Sequence, residues 1–302
     1  MLSGIATFAM QGRWQAAIVT ALLSFAALML PPLSYLASGI LALTTLRIGP
    51  KEGIKVVAAA TVIFTLLAGF LLGQFYIAGA FLVSSWLPVL VVTLILGYTR
   101  SLAVSLLAAS GLGILVVLGT HIVLSDPAMW WQQILIPFFE VIAEQPGWQF
   151  DQQQTQDLIV RLSGMMTGLI AAGLSANVMF GLLIGRAWQA KLFNPGGFAS
   201  EFYQLKLGKQ AAIVTIVLMV ISVLPVQGSL SFVVDCLPIA LTVFALQGLA
   251  VIHAIVKQQQ KQKFWLIAVY VLLVVMMPQM VVILATLGVL EQWMNFRRYS
   301  AE

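Results

Sequence analysis

Charge is what this chain has least of. Only 8% of its 302 residues are Asp, Glu, Lys or Arg, against 61% hydrophobic, and the mean hydropathy is +1.02. Soluble domains carry roughly 25% charged residues, so a soluble globular chain is excluded. Cysteine is scarcer still. The lone Cys236 excludes an intramolecular disulfide, and with only His121 and His253 beside it no metal-ligand cluster is visible. No metal or cofactor is therefore expected. Catalytic signatures are also missing: there is no HExxH, no P-loop and no Ser–His–Asp set on recognisable turns. The chain is not expected to be an enzyme, and it cannot power ATP-driven transport alone.

What is present is a series of long apolar runs. A spanning helix needs about 20 apolar residues, and several stretches reach that length without a charge. The runs are continuous rather than alternating, which disfavours a β-barrel. The expected fold is all-α, a polytopic transmembrane helix bundle of eight to ten segments, several of them short or broken by proline. The net charge of +5 and pI near 9.5 have a membrane explanation, because the cations sit in short loops between spans, as the positive-inside rule requires. No basic stripe interleaves with aromatics, so nucleic acid is not an expected partner. The opening MLSGIATFAMQGRW lacks a cleavable signal pattern, and insertion is expected to use the first span.

The chain divides around Arg186–Lys209, its longest polar, cationic interval. Asn194-Pro195-Gly196-Gly197 is a turn signal, since Pro fixes φ and Gly tolerates positive φ. Phe198, Phe202 and Leu205 recur at helical spacing, and Gly208 is placed to end that short helix. The expectation is an N-terminal membrane half (1–185), a cytoplasmic loop with an interfacial helix (186–209) and a C-terminal membrane half (210–302). Pro31-Pro32 and Pro278-Gln279 each divide an apolar stretch, read either as one kinked span or as a hairpin of two short ones. If both are hairpins, both termini and 14 of the 15 Lys/Arg fall on one side, Arg161 being the exception. That charge count favours ten segments with cytoplasmic termini. Residues 126–156 differ from the rest. They hold Trp130, Trp131, Phe138, Phe139, Trp148, Phe150, Glu140 and Glu144, and no Lys or Arg occurs between Arg100 and Arg161. They read as an external loop at the membrane–water boundary, with the next span near 157–185.

Two sets of residues carry a resemblance. Arg186-Ala-Trp188, Asn194-Pro-Gly-Gly-Phe-Ala-Ser-Glu-Phe202 and Leu290-Glu-Gln-Trp-Met-Asn-Phe-Arg-Arg298 together look like the YybS-like family of bacterial inner-membrane proteins of unknown function, over nearly the whole chain. Leu46-Arg-Ile-Gly-Pro-Lys-Glu-Gly53, before a Gly/Ala-rich helix, resembles the substrate-binding S components of energy-coupling-factor transporters, more distantly and only over residues 14–185. The last four segments have no counterpart there. This second resemblance implies a solute site among the first six segments and an ATPase-containing energising partner. It also implies docking through small residues of the first span, which Ala17 and Ala21 match in spacing. Small side chains let helix backbones approach closely, but ordinary internal packing uses them in the same way. The GxxxG spacings Gly69/Gly73, Gly164/Gly168 and Gly181/Gly185 read as intramolecular for that reason.

Charges inside apolar segments mark candidate sites, because each is unfavourable there unless paired or wet. Arg161 and Asp235 are two such charges. Counted from their helix starts, both lie about 10 Å below the same face, which predicts that they pair. The competing structural readings are an Asp157–Arg161 pair one turn apart and Asp235 as a cap before Pro238. Asn177 lies mid-span, where an amide needs a partner on another helix. Arg161, Asn177 and Asp235 are the candidate substrate-binding residues, and Ala17, Ala21, Arg186, Phe198 and Phe202 the candidate docking residues. His121 and His253 read as boundary residues. The expected function is that of a bacterial inner-membrane transporter or transporter subunit, embedded in the lipid bilayer, that binds a small solute. The competing readings are a scaffold that docks a partner through 186–209, and a membrane enzyme or lipid-handling protein.

Overall fold

The computed structural model describes residues 2–144, 149–224, 231–262 and 264–299. Among these residues every regular element is a helix. Trp148 and the expected outer turn near Gly228 lie outside the described residues. Six helices are long and apolar enough to cross a bilayer: Pro50–Leu72, Ile77–Thr99, Leu102–Val123, Gln152–Phe193, Ser231–Gln258 and Met277–Met294. Three more are apolar but shorter: Leu33–Ile48, Lys209–Ser222 and Phe264–Val275. Six helices of spanning length fit an integral membrane protein.

The chain begins with α1 (Leu2–Ala9), α2 (Arg13–Ala26) and α3 (Leu33–Ile48). Pro31 and Pro32 sit in the turn between α2 and α3, where Ser34 Oγ donates to the Pro31 carbonyl at 2.7 Å. Met10 and Gln11 line one surface depression with Arg47 and Phe193. The start of α2 and the end of α3 therefore share one end of the molecule, and the two helices fold back on each other. Gly49 then turns the chain into α4 (Pro50–Leu72), with Pro50 in the first turn, where its missing N–H is harmless, and left-handed Gly73 closing the far end. This helix buries Val56, Ala60 and Phe64 and exposes Val62, Leu66 and Phe70. Large apolar side chains on the outside suit lipid. The return rod consists of α5 (Ile77–Phe81), a π-helical turn (Leu82–Trp86) and α6 (Leu87–Thr99), and α7 (Leu102–Val123) follows after a Ser101 cap.

Next come α8 (Pro127–Ala143) and α9 (Gln152–Phe193). At 42 residues, α9 is about 63 Å long, twice the ~30 Å hydrocarbon core of a bilayer. Its cation-rich end meets α3, where Gly185 lies against the backbone of Gly39 and the Ala42 side chain. A Cβ at residue 185 would stand 2.8 Å from the Gly39 carbonyl oxygen, so glycine sets the helix separation there.

The second part comprises α10 (Gly197–Tyr203), α11 (Lys209–Ser222), α12 (Ser231–Asp235), α13 (Leu237–Gln258), α14 (Phe264–Val275), α15 (Met277–Met294) and α16 (Phe296–Tyr299). Arg297 shares a depression with Ala254 and Lys257, so α13 and α15 end together and run in the same direction. Met276, at φ −125 and ψ 48, breaks the chain between α14 and α15. Gly248 and Gly288 let α13 and α15 pack backbone to backbone. Both ends of the described chain therefore lie at one end of the bundle, beside Arg47, Arg186, Lys206 and Lys257.

Three expectations about the elements need correction. Residues 127–143 of the expected external loop are a helix packed along α9. The span expected near 157–185 belongs to a rod that starts at Gln152 and runs to Phe193, because an Asp151–Gln154 capping box starts it earlier. Gly208 does not end the short helix of the central loop. That helix stops at Tyr203, and Gly208, at φ 97, instead opens α11.

Candidate functional site

A polar depression at the far end of the bundle is built by four helices. The last turn of α7 presents His121, and the chain turns at Ser125 and Asp126, whose Oδ1 accepts from the Met129 N–H at 3.0 Å and caps α8. On α9, Ser163 and Thr167 lie one turn apart on one face, and Trp131 Nε1 donates to Thr167 Oγ1 at 3.0 Å. From the other half, α12 ends at Asp235, just before the kink that Pro238 allows. The helix of α9 comes close here: a Cβ on Gly168 would be 2.7 Å from the Asp235 carbonyl oxygen.

The centre of the site is a pair of side chains, Asp235 buried and His121 partly so. His121 Nε2 and Asp235 Oδ2 are 2.8 Å apart. Asp235 is 7% exposed, and Phe232 packs edge-on against the imidazole. Around the pair, a cavity of about 670 Å³ is lined by Ser125, Asp126, Ser163 and Thr167 as well as His121 and Asp235. Two carboxylates, one imidazole and several hydroxyls face this space, and its described lining includes no Lys or Arg. Such a surface accepts hydrogen bonds and attracts positive charge.

The expected Arg161–Asp235 pair is not formed. Gly168, not Arg161, is level with Asp235, and Arg161 stands two turns further out, about 10 Å along α9. Its side chain is exposed, and it makes no ion pair among the described residues, so the Asp157 partnership is absent too. The depth estimate failed because α9 and α8 project beyond the end of α7 instead of starting at the same plane. Asp235 is not a side-chain cap either, since the N-terminus of α13 has no side-chain cap hydrogen bond.

Asn177 lies nine residues beyond Gly168, about 14 Å along α9, and belongs to a separate buried cluster. Its Nδ2 donates to Ser85 Oγ at 2.8 Å and approaches Ser38 Oγ at 3.4 Å, and the two serines are 3.1 Å apart. Ser85 reaches it from the π-helical turn, where one extra residue re-aims the side chain. The amide finds partners on two other segments, while its Oδ1 has no partner among the described residues. Arg161, Asn177 and Asp235 thus occupy three places and do not converge on one site.

The candidate docking residues serve the chain's own packing. Ala17 and Ala21 are fully buried on α2, which packs between α3 and α4. Arg186 makes a two-pronged ion pair with Glu201, at 3.0 and 2.5 Å. Phe198 stacks on Phe202, whose ring meets His253 edge-on, and Phe202 is buried. Beyond them, the Leu207 N–H donates to Gln247 Oε1 at 2.7 Å. Residues 186–193 of the expected loop thus belong to α9, and α10 after them packs against α9 and α13.

Sequence reasoning missed His121 as a partner of Asp235, since 114 residues separate them and no spacing relates them. Ser163 and Thr167, four residues apart on one helix, carried a weak signal of a shared polar face. Compared with protein families, curated proteins and solved structures, the chain matches none of them.

Proposed function

We propose that this membrane protein is a transport protein, or a subunit of one, that binds a small, positively charged solute in the cavity around His121 and Asp235. The carrying observation is the lining itself: Asp235 and Asp126 with Ser125, Ser163 and Thr167, and no cation among the described residues. Two carboxylates against one imidazole, with Asp235 buried and Asp126 exposed at the rim, favour a cationic guest. The site lies where α7, α8 and α9 of the first half meet α12 of the second, not within the first six segments alone. The cationic loops cluster at the opposite end, which under the positive-inside rule supports reading the cavity as open to the outer face of the membrane. That assignment supports cytoplasmic termini. With no P-loop in the sequence, energised uptake draws on a partner ATPase or an ion gradient.

The competing reading, partner docking through 186–209, has less support because Arg186 and Phe202 already engage Glu201 and His253. Native mass spectrometry of gently extracted protein tests the choice. The expected result is a stoichiometric small cation, lost in Asp235→Asn and kept in Asn177→Ala. Wild-type protein that carries no small molecule, and is not thermally stabilised by any of a panel of amines and polyamines, overturns the proposal.

A further inference from the structure

A second polar depression lies at the cationic end, and its chemistry is the inverse of the first. Ser200 and Tyr203 of α10, Lys206 of the following linker, Lys257 at the end of α13 and Arg297 of α16 line a space of about 490 Å³. Its described lining holds three cations and no Asp or Glu. These cations come from three separate segments brought together by packing, whereas loop charges that merely obey the positive-inside rule need not converge.

The scaffold holding them is specific. Glu291 is fully buried and accepts from Arg297 Nε at 2.9 Å and from the Phe296 N–H at 2.7 Å. Arg297 also donates through Nη1 to the Tyr203 carbonyl and through Nη2 to the Leu205 carbonyl, the latter at 2.8 Å. That leaves two of its five N–H groups unassigned. Lys206 Nζ is held by Asn295 Oδ1 at 2.7 Å, which leaves two ammonium protons to offer. Lys257 has no ion pair among the described residues. Glu291 offsets Arg297, so Lys206 and Lys257 give the depression a net charge of about +2, with Tyr203 beside it, while the Ser200 hydroxyl donates to the Gly197 carbonyl at 2.9 Å.

We infer that this depression binds a phosphate group, either the headgroup of an anionic phospholipid or a free phosphate. The fit is one of charge, donor count and position: the N–H donors of Lys206, Lys257 and Arg297 line a space large enough for a phosphodiester. It lies where the spanning helix Ser231–Gln258 ends, which is the depth of a headgroup.

The test compares wild-type protein with Lys257→Gln, with Lys206→Gln/Lys257→Gln and with Lys261→Gln, a cation outside the depression. Thermal midpoints are read in nanodiscs of phosphatidylcholine with increasing phosphatidylglycerol, and separately in detergent with inorganic phosphate. Stabilisation by phosphatidylglycerol alone identifies the lipid source, and stabilisation by inorganic phosphate identifies the free anion. In either case the apparent affinity is expected to fall about 30-fold in the double variant, less in Lys257→Gln, and not in Lys261→Gln. Since Lys257 makes no ion pair, its single variant keeps the test valid if the double variant misfolds. No difference between wild type and Lys257→Gln, or an equal loss in Lys261→Gln, overturns the inference.

Discussion

Asp235 takes its hydrogen bond from His121, on a helix of the other half of the chain, and not from the oppositely charged Arg161. The bond ties the end of α7 to the end of α12 just where both reach the polar cavity. A double-mutant cycle in detergent separates the two pairings. His121→Gln and Asp235→Asn should couple by about 1 kcal/mol, in the range of hydrogen bonds within membranes. Arg161→Gln and Asp235→Asn should be additive. Thermal midpoints of the four variants in each cycle decide the matter.

Gly164 and Gly168 share a GxxxG spacing but not an environment. A Cβ at 164 meets nothing within 4 Å, whereas one at 168 runs into the Asp235 backbone. Gly164→Ala should leave stability unchanged or raise it by up to about 1 kcal/mol. Gly168→Ala should lower it by about 1–3 kcal/mol, since backbone must move. Equal effects on unfolding in the two variants would falsify this account of the helix contact.

The Asn177 cluster predicts a non-additive response. Asn177→Ala and Ser85→Ala each remove the 2.8 Å hydrogen bond between them, and each should cost about 1 kcal/mol. The double variant should lose clearly less than the sum, because both changes remove the same interaction. Solute retention by native mass spectrometry should be unaffected in all three.

At the opposite end, buried Glu291 of α15 holds Arg297 of α16, whose Nη groups reach the Tyr203 and Leu205 carbonyls. Glu291→Ala leaves a guanidinium with a side-chain exposure of only 10% without its counter-charge, and about 3–5 kcal/mol should be lost. Arg297→Lys should not preserve wild-type stability, because an ammonium lacks the planar fork that reaches a carboxylate and two carbonyls together. Limited proteolysis after Lys206 is a sensitive readout for both.

Much of this architecture was readable from residue types alone. The scarcity of charge gave the membrane class, Pro31-Pro32 marked the turn between α2 and α3, and Asn194–Gly197 marked the turn before α10. At that turn the Gly197 N–H bonds the Asn194 carbonyl at 3.1 Å. The need of Asn177 for a partner on another helix was also legible. What failed was depth. Hydropathy reports where a helix is apolar, not where it begins relative to its neighbours, so the projection of α8 and α9 past α7 was invisible and Arg161 was set two turns too deep. The His121–Asp235 pair depends on tertiary packing of segments 114 residues apart. Likewise, the small residues at Ala17, Ala21, Gly181 and Gly185 look the same in sequence whether they face the chain's own helices or a partner.

The pairing of α3 with α9 also sets a schedule for biogenesis. Ser38 and Asn177 are 139 positions apart, and residues Ala37 to Thr45 of α3 are buried throughout. A ribosome adding about 5–20 residues per second exposes α3 for about 7–28 seconds before Asn177 of α9 is made. During that interval the Ser38 hydroxyl and the small-residue face of α3 must be sheltered by α2, α4 and the insertion machinery. Arrested nascent chains ending before residue 177 should therefore be held by membrane chaperones, and chains extended past residue 193 should be released from them.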